Sequence, residues 1–175
     1  PYRRQRQMCI ETAAGSGSVG YQYRYDETSA WLETTGSILY VGDVAEKTLY
    51  VRAYNTLDEE VVSEEEAFII RQDTVAPTVT FSGMPTSWTS VDQNITIKVT
   101  DALSGVTDDT VNITVTPTRT DLATKGFLPG AAQPGSGQDG TYTVLFKASD
   151  SYSVTVHDQA GNETTEQLII DKIDK

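Results

Sequence analysis

Two side chains that often carry nucleophilic or metal chemistry occur once each in this chain, His157 and Cys9. A single His and a single Cys cannot supply a three-histidine metal site, a four-cysteine site or a disulfide within the chain. A Ser–His–Asp arrangement is arithmetically allowed, but no G-x-S-x-G motif supports it. The residue types therefore predict a protein that is not an enzyme.

With sites based on His and Cys excluded, carboxylates are the remaining side chains that could bind a metal ion. From Asp73 onward, 11 of the 13 acidic residues are Asp. Asp101, Asp158 and Asn162 follow predicted strands, and strands that run in the same sense bring their ends to one pole. Because Ca²⁺ takes about six to eight oxygen ligands from Asp, Asn and backbone carbonyls, a calcium site is one interpretation. Turn capping, in which a carboxylate accepts backbone N–H groups, is the other.

Aromatic residues offer a second kind of site in the first part of the chain. Exposed rings stack on sugars, so a carbohydrate platform is one interpretation of this group: Tyr21, Tyr23, Tyr25, Trp31 and Tyr40. The strict alternation of the tyrosines with Gln22 and Arg24 is typical of a half-buried strand and favours core packing instead.

Two acidic stretches, 58–60 and 64–66, are expected to be solvated loops.

Charge and hydropathy exclude two further classes of protein. The 175 residues carry 13 Lys+Arg against 25 Asp+Glu, for a net charge of −12. Phosphate binding needs clustered positive charge, so a nucleic-acid-binding surface is not expected. No apolar run approaches the roughly 18 residues that cross a bilayer, so no membrane insertion is expected. The first ten residues lack the apolar stretch of a signal peptide, which predicts a piece of a longer chain.

Short strands must position these side chains. Period-2 alternation and β-branched residues predict strands and few helices. The predicted strands are 19–25, 38–41, 48–54, 67–71, 78–81, 94–100, 111–116, 141–146, 152–157 and 167–170. The predicted core residues are Tyr23, Val51, Ile97, Val99, Val154 and Val156. A Gly-, Ala- and Pro-rich loop is predicted over 122–140.

A change in composition divides the chain near Asp73. Threonine rises from 6 residues before it to 19 from it onward. A weak repeat supports this division, because 49–58 and 151–160 each run as an alternating strand into a polar turn, followed by a strand that ends in Ile-Ile. We therefore predict an all-β fold of two tandem antiparallel β-sandwiches, 1–72 and 73–175.

Four phrases resemble the recurring motifs of bacterial immunoglobulin-like repeats. They are Asp73-Thr-Val-Ala-Pro77, Pro85-Thr-Ser-Trp-Thr89, Val99-Thr-Asp-Ala-Leu-Ser-Gly-Val106 and Val154-Thr-Val-His-Asp-Gln-Ala-Gly-Asn-Glu-Thr164. The resemblance covers about 90 residues in order. The first part of the chain matches more loosely, since Asn55-Thr-Leu-Asp-Glu59 stands where the family has Asp-x-Ala-Gly-Asn.

The resemblance implies immunoglobulin-like sandwiches in a large bacterial surface or secreted protein, hence an extracellular location. It implies a spacer or stalk whose partners are the neighbouring domains of a longer chain. The alternative is an adhesive module that binds a carbohydrate or a host protein. Some such repeats bind Ca²⁺ near domain junctions, and this would assign calcium to Asp73, Asp101, Asp158 and Asn162; no other cofactor is implied.

Overall fold

The computed structural model describes residues 18–106, 113–135 and 140–175, which fall into two compact units, Pro1–Arg71 and Gln72–Lys175. The described residues contain twelve strands and one four-residue helix. In chain order these are β1 (Val19–Arg24), β2 (Leu32–Thr34), β3 (Val44–Asn55), β4 (Asp58–Val62), β5 (Glu66–Gln72), β6 (Thr78–Ser82), β7 (Gln93–Thr100), β8 (Thr114–Pro117), α1 (Asp121–Thr124), β9 (Gln133–Pro134), β10 (Thr141–Phe146), β11 (Asp150–His157) and β12 (Glu163–Ile170).

The prediction of an all-β fold built from antiparallel sheets is confirmed. Every strand pair whose register is defined is antiparallel. The expectation of few helices also holds for the described residues, because α1 is a single turn. None of the helices in the described part of the chain is long and apolar enough to span a membrane.

The described part of the first unit, from residue 18 onward, forms one five-stranded sheet. Its order is β2-β1-β3-β4, and β5 pairs with β3. β1 lies beside β3 with Tyr21 opposite Ala53 and Tyr23 opposite Val51. Ala53 is the one fully buried apolar residue in the described part of this unit, and the predicted core residues Tyr23 and Val51 are only half-buried.

The second unit contains two sheets that share one core. The first sheet has the order β6-β7-β10-β9 and the second has the order β12-β11-β8. Alternate side chains of the central strands β7, β10 and β11 are buried, as period-2 strands with one covered face require. The main strand residues of the core are Ile95, Ile97, Val99, Tyr142, Val144, Phe146, Tyr152, Val154, Val156, Leu168 and Ile170. This arrangement is β-sandwich-like, and the four core residues predicted here lie within it.

The predicted loop over 122–140 is partly anchored in that core. Leu122, on α1, is fully buried, and Phe127 packs against the cluster from outside. Lys125 N–H donates to Asp121 O and Phe127 N–H to Leu122 O, which closes a compact turn after the helix. Residues 136–139 of this loop lie outside the described residues, as do 111 and 112 of the predicted strand 111–116.

Two sequence predictions are wrong. Residues 38–41 form no strand, and no described residue pairs with them; a strand needs a hydrogen-bonded neighbour, whatever its alternation. Residues 58–60 are not a loop, because they belong to β4, which pairs with the end of β3 across a register shift at Tyr54 and Asn55. An edge strand accepts such charge readily, since its outer side faces water.

Burial in the shared core predicts unequal costs for two chemically identical substitutions. Ile97 is 0% exposed and Ile169, on β12, is 70% exposed. We expect Ile97→Ala to lower the free energy of unfolding of the second unit by about 2–5 kcal/mol, and Ile169→Ala by less than about 0.5 kcal/mol. Urea unfolding of the full chain, followed by far-UV circular dichroism, measures both. Equal effects would contradict the assignment of these two positions to the inner and outer faces.

Candidate functional site

Strand ends bring the predicted site residues to one pole of the second unit, here named the acidic pole. Asp101 directly follows β7, and Asp158 directly follows β11. β6 begins at the same pole, because Thr78 lies opposite Thr100. Asp73 stands just before β6 in the chain. The antiparallel sheets therefore place three carboxylates from distant parts of the sequence side by side.

The Asp101 carboxylate caps the turn that follows β7. Its Oδ1 accepts the Leu103 N–H at 3.0 Å, the Gly105 N–H at 2.7 Å and the Ser104 hydroxyl at 3.2 Å. Gly105 has a φ of +75°, a left-handed conformation that glycine adopts without strain. The motif Asp101-x-x-x-Gly105 therefore folds as a capped reversal for local reasons alone.

The Asp158 carboxylate caps the second turn and is 3% exposed. Its Oδ1 accepts the N–H groups of Gly161 at 2.7 Å and Asn162 at 2.9 Å. Its Oδ2 accepts the Asn162 side-chain amide at 2.8 Å. Gly161 has a φ of +92°, which again favours glycine. A buried carboxylate is stable here because three N–H donors replace the water that it has lost.

Asp73 links the segment before β6 to the Asp101 turn. Its Oδ1 accepts the Val75 N–H at 2.9 Å and its Oδ2 accepts the Ser104 N–H at 2.9 Å. Hydrogen bonds from the Ser104 side chain and the Val75 backbone hold the pKa of Asp73 below its ordinary value of 3.8. Folding thus favours the ionised form, and this contribution to stability is lost as the pH falls through the lowered pKa.

The Asn162 side chain fastens the same segment to the Asp158 turn. Its Nδ2 donates to the carbonyls of Asp73 and Val75, each at 3.2 Å, as well as to Asp158. Beside it, the Thr164 hydroxyl donates to Pro77 O at 2.6 Å. Asn162 and Thr164 therefore hold the backbone from Asp73 to Pro77 against the end of β11 and the start of β12.

The structure brings all four predicted calcium residues together. One carboxylate oxygen from each of Asp73, Asp101 and Asp158 lies within 4.8 Å of the other two. Oxygen-only ligands at this spacing suit a hard cation such as Ca²⁺. The same oxygens already accept backbone and amide N–H groups, and the Asn162 amide donates into the cluster. These N–H donors account for the close approach of the three carboxylates without a bound ion. Calcium at these residues stays a prediction.

Residues outside the predicted calcium set complete this arrangement. Ser104 donates to both Asp73 and Asp101, and the Val75 and Pro77 carbonyls accept from Asn162 and Thr164. The sequence signal for Ser104 and Thr164 was their position inside the phrases that resemble motifs of bacterial immunoglobulin-like repeats. The backbone carbonyls carried no signal, because carbonyl groups are the same at every position.

The aromatic residues of the first unit do not form one platform. Tyr25 contacts Tyr23 and Tyr40 edge-on, with ring centroids 5.6 and 5.3 Å apart. Trp31 lies elsewhere, between the guanidinium groups of Arg24 at 4.5 Å and Arg52 at 4.1 Å from its ring centroid. Each arginine thereby gains a cation–π contact. The predicted group is split between the two faces of the sheet.

Compared with family models, with curated proteins and with solved structures, the chain gives no match in any of the three. The residues themselves therefore carry the functional argument.

Removing the Asp158 carboxylate is expected to destabilise the second unit. Asp158→Ala leaves the N–H groups of Gly161 and Asn162 without their acceptor in a buried place, which costs roughly 2–4 kcal/mol of unfolding free energy. Asp171→Ala is the matched control, because it removes the same charge from an exposed position. Urea unfolding of the full chain measures both changes. A loss of less than about 1 kcal/mol for Asp158→Ala would contradict the capping role.

A thermal melt separates turn capping from calcium binding. If the N–H donors satisfy the cluster, the Tm is the same in millimolar Ca²⁺ and in chelator at matched ionic strength, and this is the outcome we expect. A bound ion would favour only the folded state and would raise the Tm with Ca²⁺ concentration. A rise that Asp158→Ala abolishes, and that Asp171→Ala preserves, would establish the metal site.

Proposed function

We propose that this chain is a non-catalytic spacer, two tandem immunoglobulin-like sandwiches in the stalk of a bacterial surface or secreted protein. The observation that carries the proposal is the position of the two ends of the second unit. The segment from Asp73 to Pro77 is fastened at the acidic pole. The C-terminal segment is fastened at the opposite pole, where the strands β7 and β11 begin.

Hydrogen bonds define that opposite pole. The Thr89 N–H donates to Lys172 O, and the Thr89 carbonyl accepts from the Asp174 N–H. The Ser149 hydroxyl donates to Ile173 O at 2.7 Å, and the Ile173 N–H donates to Ser149 Oγ at 2.8 Å. Thr89 and Ile173 also form a parallel bridge. The chain therefore leaves this unit about 26 Å from where it enters, the length of an eight-residue strand.

This geometry suits a module that transmits distance and tension. A unit whose chain enters at one pole and leaves at the other adds its whole length to a stalk. Tension applied through the chain acts on the side-chain hydrogen bonds at both poles as well as on the strands. The net charge of −12 favours solubility and opposes self-association, and a stalk needs both properties.

The resemblance to bacterial immunoglobulin-like repeats supports an extracellular location and neighbouring domains as the partners. Three of its four phrases form the acidic pole, in which Asp101, Asp158 and Asn162 make the hydrogen bonds described above. A second candidate function is adhesion to a glycan or a host protein. Tyr21, which is 39% exposed on the sheet of the first unit, favours it.

Pulling single molecules by their termini tests the spacer. We expect a distinct unfolding event for the second unit, with a gain in contour length of about 32–35 nm, which is the extended length at 3.3–3.6 Å per residue less the roughly 26 Å between the ends of the folded unit. Asn162→Ala removes the amide that holds the carbonyls of Asp73 and Val75, so it lowers the unfolding force. Asn94→Ala, at an exposed position of β7, is the matched control and leaves the force unchanged.

Extension without a resolvable force step would contradict the spacer. A glycan array probed with the full chain tests the second candidate. Micromolar binding that Tyr21→Ala abolishes would favour adhesion, whereas the absence of binding to every glycan on the array would favour the spacer.

A further inference from the structure

Three asparagines of this chain begin the triplet Asn-x-Thr, which is the acceptor motif for N-linked glycans. They are Asn94, Asn112 and Asn162. Such a short motif also arises by chance, so the triplet by itself assigns no site. The fold distinguishes between the triplets, because a folded unit can carry a glycan only on an asparagine whose side chain faces water and holds no other segment in place.

Asn162 does not meet this condition. Its Nδ2 donates to the carbonyls of Asp73 and Val75 and to the Asp158 carboxylate. A sugar bonded to Nδ2 would replace one of its two N–H groups and would push the segment before β6 away from the Asp158 turn. The acidic pole therefore excludes a glycan at this position. Asn112 lies outside the described residues.

Asn94, the second residue of β7, meets the condition. It is exposed on the outer face of its sheet. Period-2 alternation places Thr96 on the same face and directs Ile95 into the core, where it is 0% exposed. In the part of the chain that the structure describes, no residue forms a hydrogen bond with the Asn94 side chain. The amide and the hydroxyl of this triplet thus both lie outside the core.

The chain beside Asn94 leaves room for a sugar. β6 ends at Ser82, which lies opposite Thr96, so Asn94 lies one residue pair beyond the end of that strand. The next residue is Gly83, and a Cβ added to it would lie 3.2 Å from the Asn94 carbonyl oxygen. A glycine at this close approach has no side chain that could cover the Asn94 amide.

An acidic residue close to Asn94 distinguishes this triplet from the other two. Asp92 stands two residues before Asn94, and neither of the other triplets has an acidic residue at that position. A carboxylate there gives a transferring enzyme a charged group that it can bind through charge-assisted hydrogen bonds. In the folded unit, the Asp92 carboxylate pairs with Lys175. The enzyme therefore has access to this carboxylate before the C-terminal segment docks.

We propose that Asn94 is the attachment site of an N-linked glycan, transferred from a lipid-linked oligosaccharide before the second unit folds. The proposal rests on the extracellular location proposed above, because this transfer takes place on the outer side of a membrane. β7 pairs with β6 and β10, so the enzyme reaches the triplet before these strands join. Folding then leaves the glycan on the outer face of the sheet, where it adds bulk and solubility.

The transfer is a substitution at the anomeric carbon, C1, of the first sugar. Asn94 Nδ2 forms a bond to C1, and the bond between C1 and the diphosphate oxygen of the lipid carrier breaks. The lipid diphosphate leaves with the electron pair of that bond, and Nδ2 gives one proton to a base of the enzyme. The activated sugar drives the reaction, so no oxidant or reductant takes part.

Export of the full chain tests the proposal. The chain, with an added signal peptide, is produced in a bacterial host that holds an oligosaccharyltransferase and its lipid-linked oligosaccharide. Mass spectrometry of the purified protein is expected to give one glycan, at Asn94. Asn94→Gln and Thr96→Val each abolish it, whereas Thr96→Ser keeps the hydroxyl and retains it. Asn162→Gln is the matched control for Asn94→Gln and leaves the Asn94 glycan in place.

Hydrogen exchange of the glycosylated protein tests whether the fold carries the glycan. We expect the amides of β7 and β11 to be as well protected as in the Asn94→Gln variant, because the sugar lies outside the core.

Three results overturn the proposal. The exported chain lacks a glycan, although a copy with an acceptor peptide added after Lys175 is modified in the same cells; the glycan is attached to Asn112 or Asn162 and not to Asn94; or the glycosylated chain loses the protection of β7 and β11. Because the added signal peptide supplies the export, a missing glycan contradicts the assignment of Asn94 alone. The spacer is tested separately, by its unfolding force.

Discussion

A sheet with one apolar face is stable in water only when another layer covers that face, and both units of this protein are organised by this constraint. In the second unit, two sheets satisfy it for each other. Ile97 and Val154 come from different sheets and both lie at 0% exposure in one core. In the first unit, Ala53 alone among the described apolar residues is buried, at 3% exposure. Within the described residues, the first unit has one sheet and the second unit has two, and this difference in the number of layers accounts for the difference in burial.

The second unit also fastens its chain at both poles. At the acidic pole, carboxylates accept N–H groups that a turn would otherwise leave to water, and one amide, that of Asn162, holds two carbonyls of the segment before β6. At the opposite pole, Ser149 and Thr89 hold the C-terminal segment. Because β7 and β11 connect these poles, the strands that build the core also set the distance between the two ends of the unit. Stability and spacing thus depend on the same elements.

The acidic residues of this pole are compatible with two roles, the capping of turns and the binding of a metal ion. A carboxylate that accepts two or three N–H groups needs no ion, yet three such carboxylates within 4.8 Å of one another also form a cluster of hard oxygen ligands. Their closeness is a consequence of the topology, since β7 and β11 belong to different sheets of one core and both end at the acidic pole. Local turn chemistry and topology thus place the charges together, whatever else binds there.

Local patterns in the amino-acid sequence predict the all-β class, most of the strands and the turns. Period-2 alternation and Gly105 or Gly161 after a capping Asp are local signals, because their physics acts over a few residues. The same patterns also predict that Asp101, Asp158 and Asn162 lie at the ends of loops. Three outcomes depend on contacts between distant segments: the carbonyls that Asn162 holds, the formation of β4 from an acidic stretch, and the absence of a strand at 38–41. These outcomes depend on which neighbour a segment meets, and the alternation that predicts a strand does not contain that information.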